Sequence, residues 1–381
     1  MKSILVIHQS AELYGSDKTL LLLLGDLDKT KFSILVILPG QGPLVQELEN
    51  RGIKVVILPV LKLYRKMFTP KNMILFFKEL ARTIPLLDKL NEKYNFDIVY
   101  SNTLAVLLGM FYARKRKIKH IWHVHEIIVH PKIIAGLFTY LLNKYANVVV
   151  CNSAATRANL TGRIPAIASK CIVVHNGLDP EAVQHVTGGI TRQLLGFNHT
   201  DIIVTLVGRI SRLKGHKWLL STYINFLANS NVKLLFVGSP VPGQEYYLHE
   251  VEGIIQAANI SDKVKIVPFT KELEAVWTIT DIAVMPSTEA ESFGLVALEA
   301  MLAKKPVIAA NHGGLTEIVV HNSTGFLVEP GNEQSLADAI KQLTDDAGLR
   351  LEMGKKGYER AKESFSQEKY VEGMVSILNT Y

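Results

Sequence analysis

Short apolar, β-branched runs recur along this chain at Ile4–Ile7, Ser33–Leu38, Lys54–Leu58, Asp97–Tyr100, Ile118–Val124, Val148–Cys151 and Ile172–Val174, most of them separated by segments long enough for a helix. Such a chain is restricted to strand–helix–strand units, because a helical crossover is what returns the backbone to lay the next strand parallel to the last. A second series follows at Asp201–Val207, Val232–Val237, Val264–Val267, Ile282–Met285 and Pro306–Ala309, and it closes in the helical pattern Ser335–Leu343. The turn formers Asn176-Gly-Leu-Asp-Pro180 and the pair Gly188-Gly189 stand where the rhythm restarts. With 381 residues at 48% hydrophobic composition, the chain can fill two cores of ordinary domain size. The expectation is α/β: two Rossmann-like, doubly wound domains facing a central crevice, divided near residue 180. Ligands of such sheets bind outside the carboxyl ends of the strands, so residues just after strands carry the interest.

One stretch of that kind runs from Met285 to Ala300, MPSTEAESFGLVALEA. Ile282–Met285 reads as a buried strand and Leu295–Leu302 as an apolar helix, which puts Glu291 in the loop between them and Glu299 inside the helix. A carboxylate beside an apolar helix must find hydrogen-bond donors, and the hydroxyls of a ligand are suitable ones. The same turn offers the backbone N–H groups of Phe293, Gly294 and Leu295 at a helix N-terminus, where partial positive charge attracts phosphate. After the strand Asp201–Val207 comes Gly208-Arg209-Ile-Ser-Arg212-Leu-Lys214-Gly215, three cations around two glycines. This is neither a Walker A loop nor a dinucleotide fingerprint, which disfavours a generic ATPase or dehydrogenase. Arg supplies a bidentate fork and Lys a point charge for phosphate. Asn311-His312-Gly313-Gly314, after a further strand, either lines the same pocket or serves only as a turn.

Cys151 and Cys171 are the only cysteines, too few for a disulfide framework and without metal-ligand spacing; they read as buried small side chains in a reducing compartment. The N-terminus MKSILVIHQS reads as a first strand and not as a signal peptide, and the apolar stretch Ile133–Leu142 falls short of a bilayer span. A cytoplasmic protein is expected. Its net charge of +7 is partly clustered, at Lys62, Arg65, Lys66 and Lys71 and again at Arg114, Lys115, Arg116, Lys117 and Lys119. No nucleic-acid motif accompanies these clusters. Between them Pro70–Tyr94 sets Phe76, Phe77, Leu80, Ile84, Leu87 and Leu90 among Lys78, Arg82, Lys89 and Lys93, a basic amphipathic helix suited either to an anionic membrane surface or to an ordinary solvated face.

Together these motifs resemble a retaining, family-4 type glycosyltransferase of the GT-B fold. The resemblance covers essentially the whole chain: Leu13-Tyr-Gly15-Ser-Asp-Lys-Thr19, Trp122-His-Val-His125-Glu126, Asn152-Ser153, His175-Asn176-Gly177-Leu178-Asp179, Val207-Gly-Arg209 with Lys214, and Glu291-x7-Glu299. It implies an acceptor-binding domain over residues 1–180, a nucleotide-sugar-binding domain over 181–365, and a last helix, 366–381, that crosses back onto the first domain. It implies a nucleoside diphosphate sugar as co-substrate, a glycan or lipid-linked acceptor, and no cofactor or required metal ion. By the same resemblance Arg209, Lys214 and Gly208 face the donor diphosphate, Glu299 the ribose, Glu291 the hydroxyls of the transferred sugar, and the backbone of Phe293, Gly294 and Leu295 a phosphate. His125 stands near the reacting carbon. Gly15 is an acceptor-side position; Asn102 and Thr103, which follow the strand Asp97–Tyr100, are either acceptor-side contacts or an ordinary turn or helix cap, and Glu126 either contacts the acceptor or caps local backbone. Many relatives carry two glycines where this chain has Tyr14-Gly15, a departure that reshapes the acceptor-side loop. His123 is expected on the opposite side of its strand from His125, as a structural residue. An epimerase or phosphorylase of the same architecture, or a non-catalytic sugar-binding relative, would share parts of the pattern, but the presence of Arg209, Lys214, Glu291 and Glu299 together favours a transferase.

Overall fold

The computed structural model describes residues 1–62, 69–181, 189–270 and 272–381. It divides into two compact units, one formed by Met1–Gly177 with Gln367–Tyr381 and the other by Leu178–Ser366. Arg65, Lys66 and Gly188 lie outside the described residues.

In the first unit seven strands, β1 (Lys2–His8), β2 (Phe32–Leu38), β3 (Lys54–Ile57), β4 (Ile98–Asn102), β5 (Lys119–Val124), β6 (Val148–Cys151) and β7 (Cys171–Val173), form one sheet in the order β3-β2-β1-β4-β5-β6-β7. Every pairing is parallel. Strands buried on both faces read as continuous apolar runs rather than alternating ones, and Leu5, Ile7, Val99 and Val149 face one core while Ile4, Val6, Ile98 and Val148 face another. The second core is closed by Leu20, Leu23 and Leu24 of the helix Gly15–Asp26 together with Tyr370, Met374 and Ile377 of the last helix, Gln367–Thr380. The chain reverses direction across the sheet between β1 and β4, so the carboxyl ends of these neighbours splay around a switch point.

The helix Pro70–Tyr94 forms as its sequence pattern predicts, started by the Thr69 hydroxyl accepting from the Asn72 N–H and ended by Asn95 in the left-handed region. Phe76, Ile84 and Leu87 are buried, but Phe77 is 54% exposed. Each residue turns about 100° round a helix, which carries the position next to Phe76 off the core-facing stripe. Part of the second basic cluster is neutralised: Arg116 and Lys115 lie 2.5 and 3.3 Å from the Asp88 carboxylate. Cys151 and Cys171 are both buried. Among the described residues no helix is long and apolar enough to cross a membrane.

In the second unit β8 (Ile202–Val207), β9 (Val232–Val237), β10 (Val264–Val267), β11 (Ile282–Met285), β12 (Val307–Ala310) and β13 (Gly325–Val328) form a parallel sheet in the order β10-β9-β8-β11-β12-β13. Its switch point lies between β8 and β11. The edge strand β13 is absent from the sequence pattern because its four residues, GFLV, include one β-branched residue and open on glycine; pairing with β12 makes it a strand.

Candidate functional site

In the second unit the loops leaving β8 and β11 meet across the switch point. Gly215 closes the β8 loop in the left-handed region at φ +76, and a Cβ there would fall 1.7 Å from the Pro286 carbonyl oxygen. Glycine thus lets the loop carrying Lys214 lie backbone to backbone on the exit of β11. Lys214 Nζ donates to Glu291 Oε1 at 2.7 Å, the two side chains being 25% and 19% exposed. The Ser287 hydroxyl donates to the same oxygen. Burial pushes the Glu291 carboxyl up, but the Lys214 charge and hydrogen bond, the Ser287 hydroxyl and His312 outweigh it and hold the group below the usual range. Arg212 pairs with Glu289, and Arg209 stands exposed beyond the end of β8. Of the three cations expected to serve phosphate, two therefore hold carboxylates of the β11 loop.

That loop is fixed from its other side by residues after β12. His312 Nε2 lies 2.8 Å from the Ser287 carbonyl oxygen, and the Gly314 N–H donates to the Glu291 carbonyl at 2.7 Å. Gly313, at φ +62, comes so close that a Cβ would sit 2.3 Å from the Glu291 oxygen. Phe293 is buried, Gly294 holds the N-cap at φ +113, and Leu295–Leu302 follows as a helix with Glu299 half-buried on it. Gly208 continues β8 by donating to the Val237 carbonyl. Next to Lys214, His216 is enclosed against the edge of Phe236, and burial, with the Lys214 charge, pushes its imidazole down to about 4.

In the first unit the carboxyl ends of β1, β4 and β5 gather a second polar cluster. Parallel register places His8 opposite Asn102, and Asn102 opposite His123. His125, just past β5, is half-buried with Nε2 at 2.8 Å from Asn102 Oδ1. Burial, then the neighbouring His123 and His8, pushes its imidazole well below the ordinary value, so the ring is neutral. His123 does not lie across the strand from it: the two ring centroids are 4.0 Å apart, because side chains two positions apart share a face. His123 itself is enclosed against the Tyr100 hydroxyl, 2.6 Å from its Nδ1, and burial pushes it down to about 3.

The acceptor-side positions differ among themselves. Gly15 is exposed at the first turn of its helix. Asn102 is 1% exposed and its side chain is engaged by His8 and His125. Thr103 is fully enclosed at φ +92, held there by its N–H to the His123 carbonyl and its own carbonyl accepting from Trp122 Nε1; its hydroxyl is buried without a hydrogen bond. The Glu126 carboxylate accepts from the N–H groups of Leu104 and His125 at 3.0 and 3.1 Å, which caps the backbone around His125. Burial raises its pKa, partly offset by those two hydrogen bonds. Three members of these clusters, His8, Ser287 and Tyr100, escaped the sequence reading. His8 could have been found from its place at the carboxyl end of the first strand and Ser287 from its place four residues before Glu291, whereas Tyr100 meets His123 only through the pairing of β4 with β5. Among the described residues no group of three or more His, Cys, Asp or Glu is arranged to hold a metal ion.

Comparison with known proteins gives the family of both units. Residues 15–182 match the family model described as Glycosyltransferase Family 4, and residues 190–360 match that described as Glycosyl transferases group 1. The capsular polysaccharide biosynthesis glycosyltransferase CapM of Staphylococcus aureus is 29% identical over 213 residues, covering 54% of this chain and 53% of CapM. A D-inositol 3-phosphate glycosyltransferase of Corynebacterium urealyticum is 32% identical over 216 residues, 55% of this chain and 51% of that protein. The chain thus spans about half the length of these curated relatives. Among solved structures Anabaena Alr3699/HepE in complex with UDP superimposes with a TM-score of 0.83 at 25% identity over 100% of both chains. With two parallel α/β units of the GT-B fold and both family domains in sequence, this chain belongs to the group 1 glycosyl transferases with a family 4 first domain.

Proposed function

We propose that this chain transfers a sugar from a nucleoside diphosphate sugar to a hydroxyl of a glycan or lipid-linked acceptor, with retention of anomeric configuration, in the assembly of a bacterial cell-surface polysaccharide. The observation that carries the reading is the Lys214–Glu291 pair at the switch point of the second unit, beside exposed Arg209 and a helix N-terminus. Cations and a carboxylate within one loop system support a site for a diphosphate beside one for sugar hydroxyls. In this proposal Arg209, Lys214, Gly208 and the backbone of Phe293–Leu295 hold the diphosphate, Glu299 the ribose and Glu291 the sugar. Two cations and a helix end stabilise the departing charge by preorganised electrostatics, so no metal ion or other cofactor is required. Glu291 is already committed as a hydrogen-bond acceptor to Lys214 and Ser287, which suits hydroxyl binding better than covalent attack. The acceptor then attacks from the face of the leaving group, whose phosphate takes the acceptor proton.

The complexes of HepE with UDP and with UDP-glucose make uridine donors the first to test, and CapM supports the polysaccharide setting. On the first unit, Ile74 and Phe77 are 70% and 54% exposed on a helix that also exposes Lys71, Lys78, Arg82 and Lys89, which supports peripheral attachment to the inner face of the cell membrane. A thermal-shift screen over nucleoside diphosphates and their sugars tests the donor assignment, since a ligand of the native state raises its melting temperature. With the best donor, Arg209→Ala is expected to lower turnover roughly 10²-fold with a smaller change in donor affinity. No shift with any nucleoside diphosphate, or wild-type turnover in Glu291→Ala, would overturn the reading.

A further inference from the structure

The carboxyl ends of β1, β4 and β5 contain an unbroken run of hydrogen bonds that starts deep in the first unit and ends on His125. Asp17, 1% exposed, lies in the first turn of Gly15–Asp26. Its Oδ2 accepts from the Tyr14 N–H at 2.9 Å and from the Ser10 hydroxyl at 3.2 Å, and its Oδ1 lies 2.6 Å from His8 Nε2. An ionised carboxylate only accepts, so the His8 proton sits on Nε2. His8 Nδ1 then carries a lone pair, and of its two neighbours, Asn102 Nδ2 at 3.0 Å and the Asn102 carbonyl oxygen at 3.3 Å, the nearer is the one that can donate to it. A carboxamide has one donating and one accepting end. With Nδ2 toward His8, and the Ser16 carbonyl 3.4 Å from the same nitrogen, Oδ1 is turned to His125 Nε2 at 2.8 Å. The Tyr100 hydroxyl, 3.4 Å away, approaches the same oxygen as a donor.

We propose that Asp17, His8 and Asn102 are positioning residues that set the tautomer of His125, placing its proton on Nε2 so that Nδ1 is presented as an acceptor to a hydroxyl of the bound sugar or acceptor. Each link follows from the one before by the donor and acceptor inventory of the groups, and the run passes from three side chains enclosed at 0–1% exposure to the half-buried ring of His125. The proposal rests on the assignment of His125 to the ligand site made above. The reverse arrangement, with the amide turned over and the proton on Nδ1, would make the ring a donor to the ligand instead.

The isosteric change Asp17→Asn discriminates between them. The Tyr14 N–H demands an acceptor, so the new carbonyl oxygen takes the Oδ2 position and the new NH2 faces His8 Nε2. His8 must then carry its proton on Nδ1, the Asn102 amide turns over, and His125 is left protonated on Nδ1. Histidine-selective 15N labelling with long-range 1H–15N correlation reads the two ring nitrogens of His125, assigned by loss of its signals in His125→Gln. The expected result is Nε2–H in the wild type, Nδ1–H in Asp17→Asn, and turnover of the variant down roughly 10²-fold or more with unchanged donor affinity. A wild-type ring protonated on Nδ1, or an Asp17→Asn ring unchanged from wild type, would overturn the proposal; the wild-type spectrum alone decides if the variant does not fold. Inversion of the tautomer with wild-type turnover would instead remove His125 from the ligand site and leave the relay standing.

Discussion

Replacing Gly313 by alanine tests whether the loop after β12 determines the placement of Glu291. Two separate costs are readable from the backbone. The residue sits at φ +62, a left-handed conformation that costs an L side chain about 1 kcal/mol. Its added Cβ would also lie 2.3 Å from the Glu291 carbonyl oxygen and 2.8 Å from the Glu291 nitrogen, both backbone atoms that cannot rotate away. Relieving the first contact to about 3 Å moves the two loops apart by roughly 0.7 Å, with an overpacking cost of about 1–3 kcal/mol. The neighbouring hydrogen bond from the Gly314 N–H to the same oxygen, 2.7 Å long, stretches with it, at about 1 kcal/mol. The expected total is about 3–5 kcal/mol. Gly331 provides the control: its φ is +78, yet nothing lies within 4 Å of its Cβ position, so Gly331→Ala should cost only the conformational 1 kcal/mol or so. Denaturant titration measures both. At saturating donor, Gly313→Ala should also turn over roughly 10²-fold more slowly, since a displacement near 1 Å at a positioned group has that effect, while Gly331→Ala keeps the wild-type rate. Equal destabilisation by the two changes, together with wild-type turnover in Gly313→Ala, would show that this contact does not place Glu291.

Lys214→Met removes the cation that opposes burial at Glu291, so the carboxyl should move up from its lowered position, with loss of about 1–2 kcal/mol of stability after discounting for the pair's partial exposure; a 13C titration of the Glu carboxyls that finds Glu291 unmoved would refute the pairing. Acid should destabilise both units through buried neutral imidazoles. His120 and His216 are pushed down to about 4, mainly by burial, from the ordinary 6.5, so the unfolded chain takes up protons as pH falls through 6.5 while the folded chain does not until about 4. Stability is complete above 6.5 and is lost between those values, about 2 kcal/mol for each group between pH 7 and pH 5. His216→Phe should therefore be less acid-sensitive than wild type by about that amount in denaturant titrations at the two pH values, and identical pH dependence would count against a neutral His216.

Local pattern was sufficient for much of the architecture. Glu291 stands in the loop and Glu299 on the helix where the strand-to-helix reading of Met285–Ala300 put them, and the helix Pro70–Tyr94 has the bounds its periodicity suggested. These features depend on residues within a few turns of one another, where side-chain size, branching and capping act directly on φ and ψ. Phe77 and β13 mark the limit: one apolar residue adjacent to a stripe, and one strand too short to show a period, are settled only by what packs beside them.

Sequence by itself determined that this chain builds two parallel α/β sheets, that its polar and charged motifs stand at strand ends, and that these motifs are those of the group 1 glycosyl transferases. Tertiary structure decided which of those residues meet. Lys214 and Glu291 lie 77 positions apart and His8 and Asn102 lie 94 apart, and no spacing within either segment specifies the partner. Those meetings follow from strand order and register: β8 beside β11 closes the ion pair, and β1 beside β4 beside β5 lines up His8, Asn102 and His123. Order and register in turn come from burying both faces of each sheet at once, a condition on the whole chain that no local window contains.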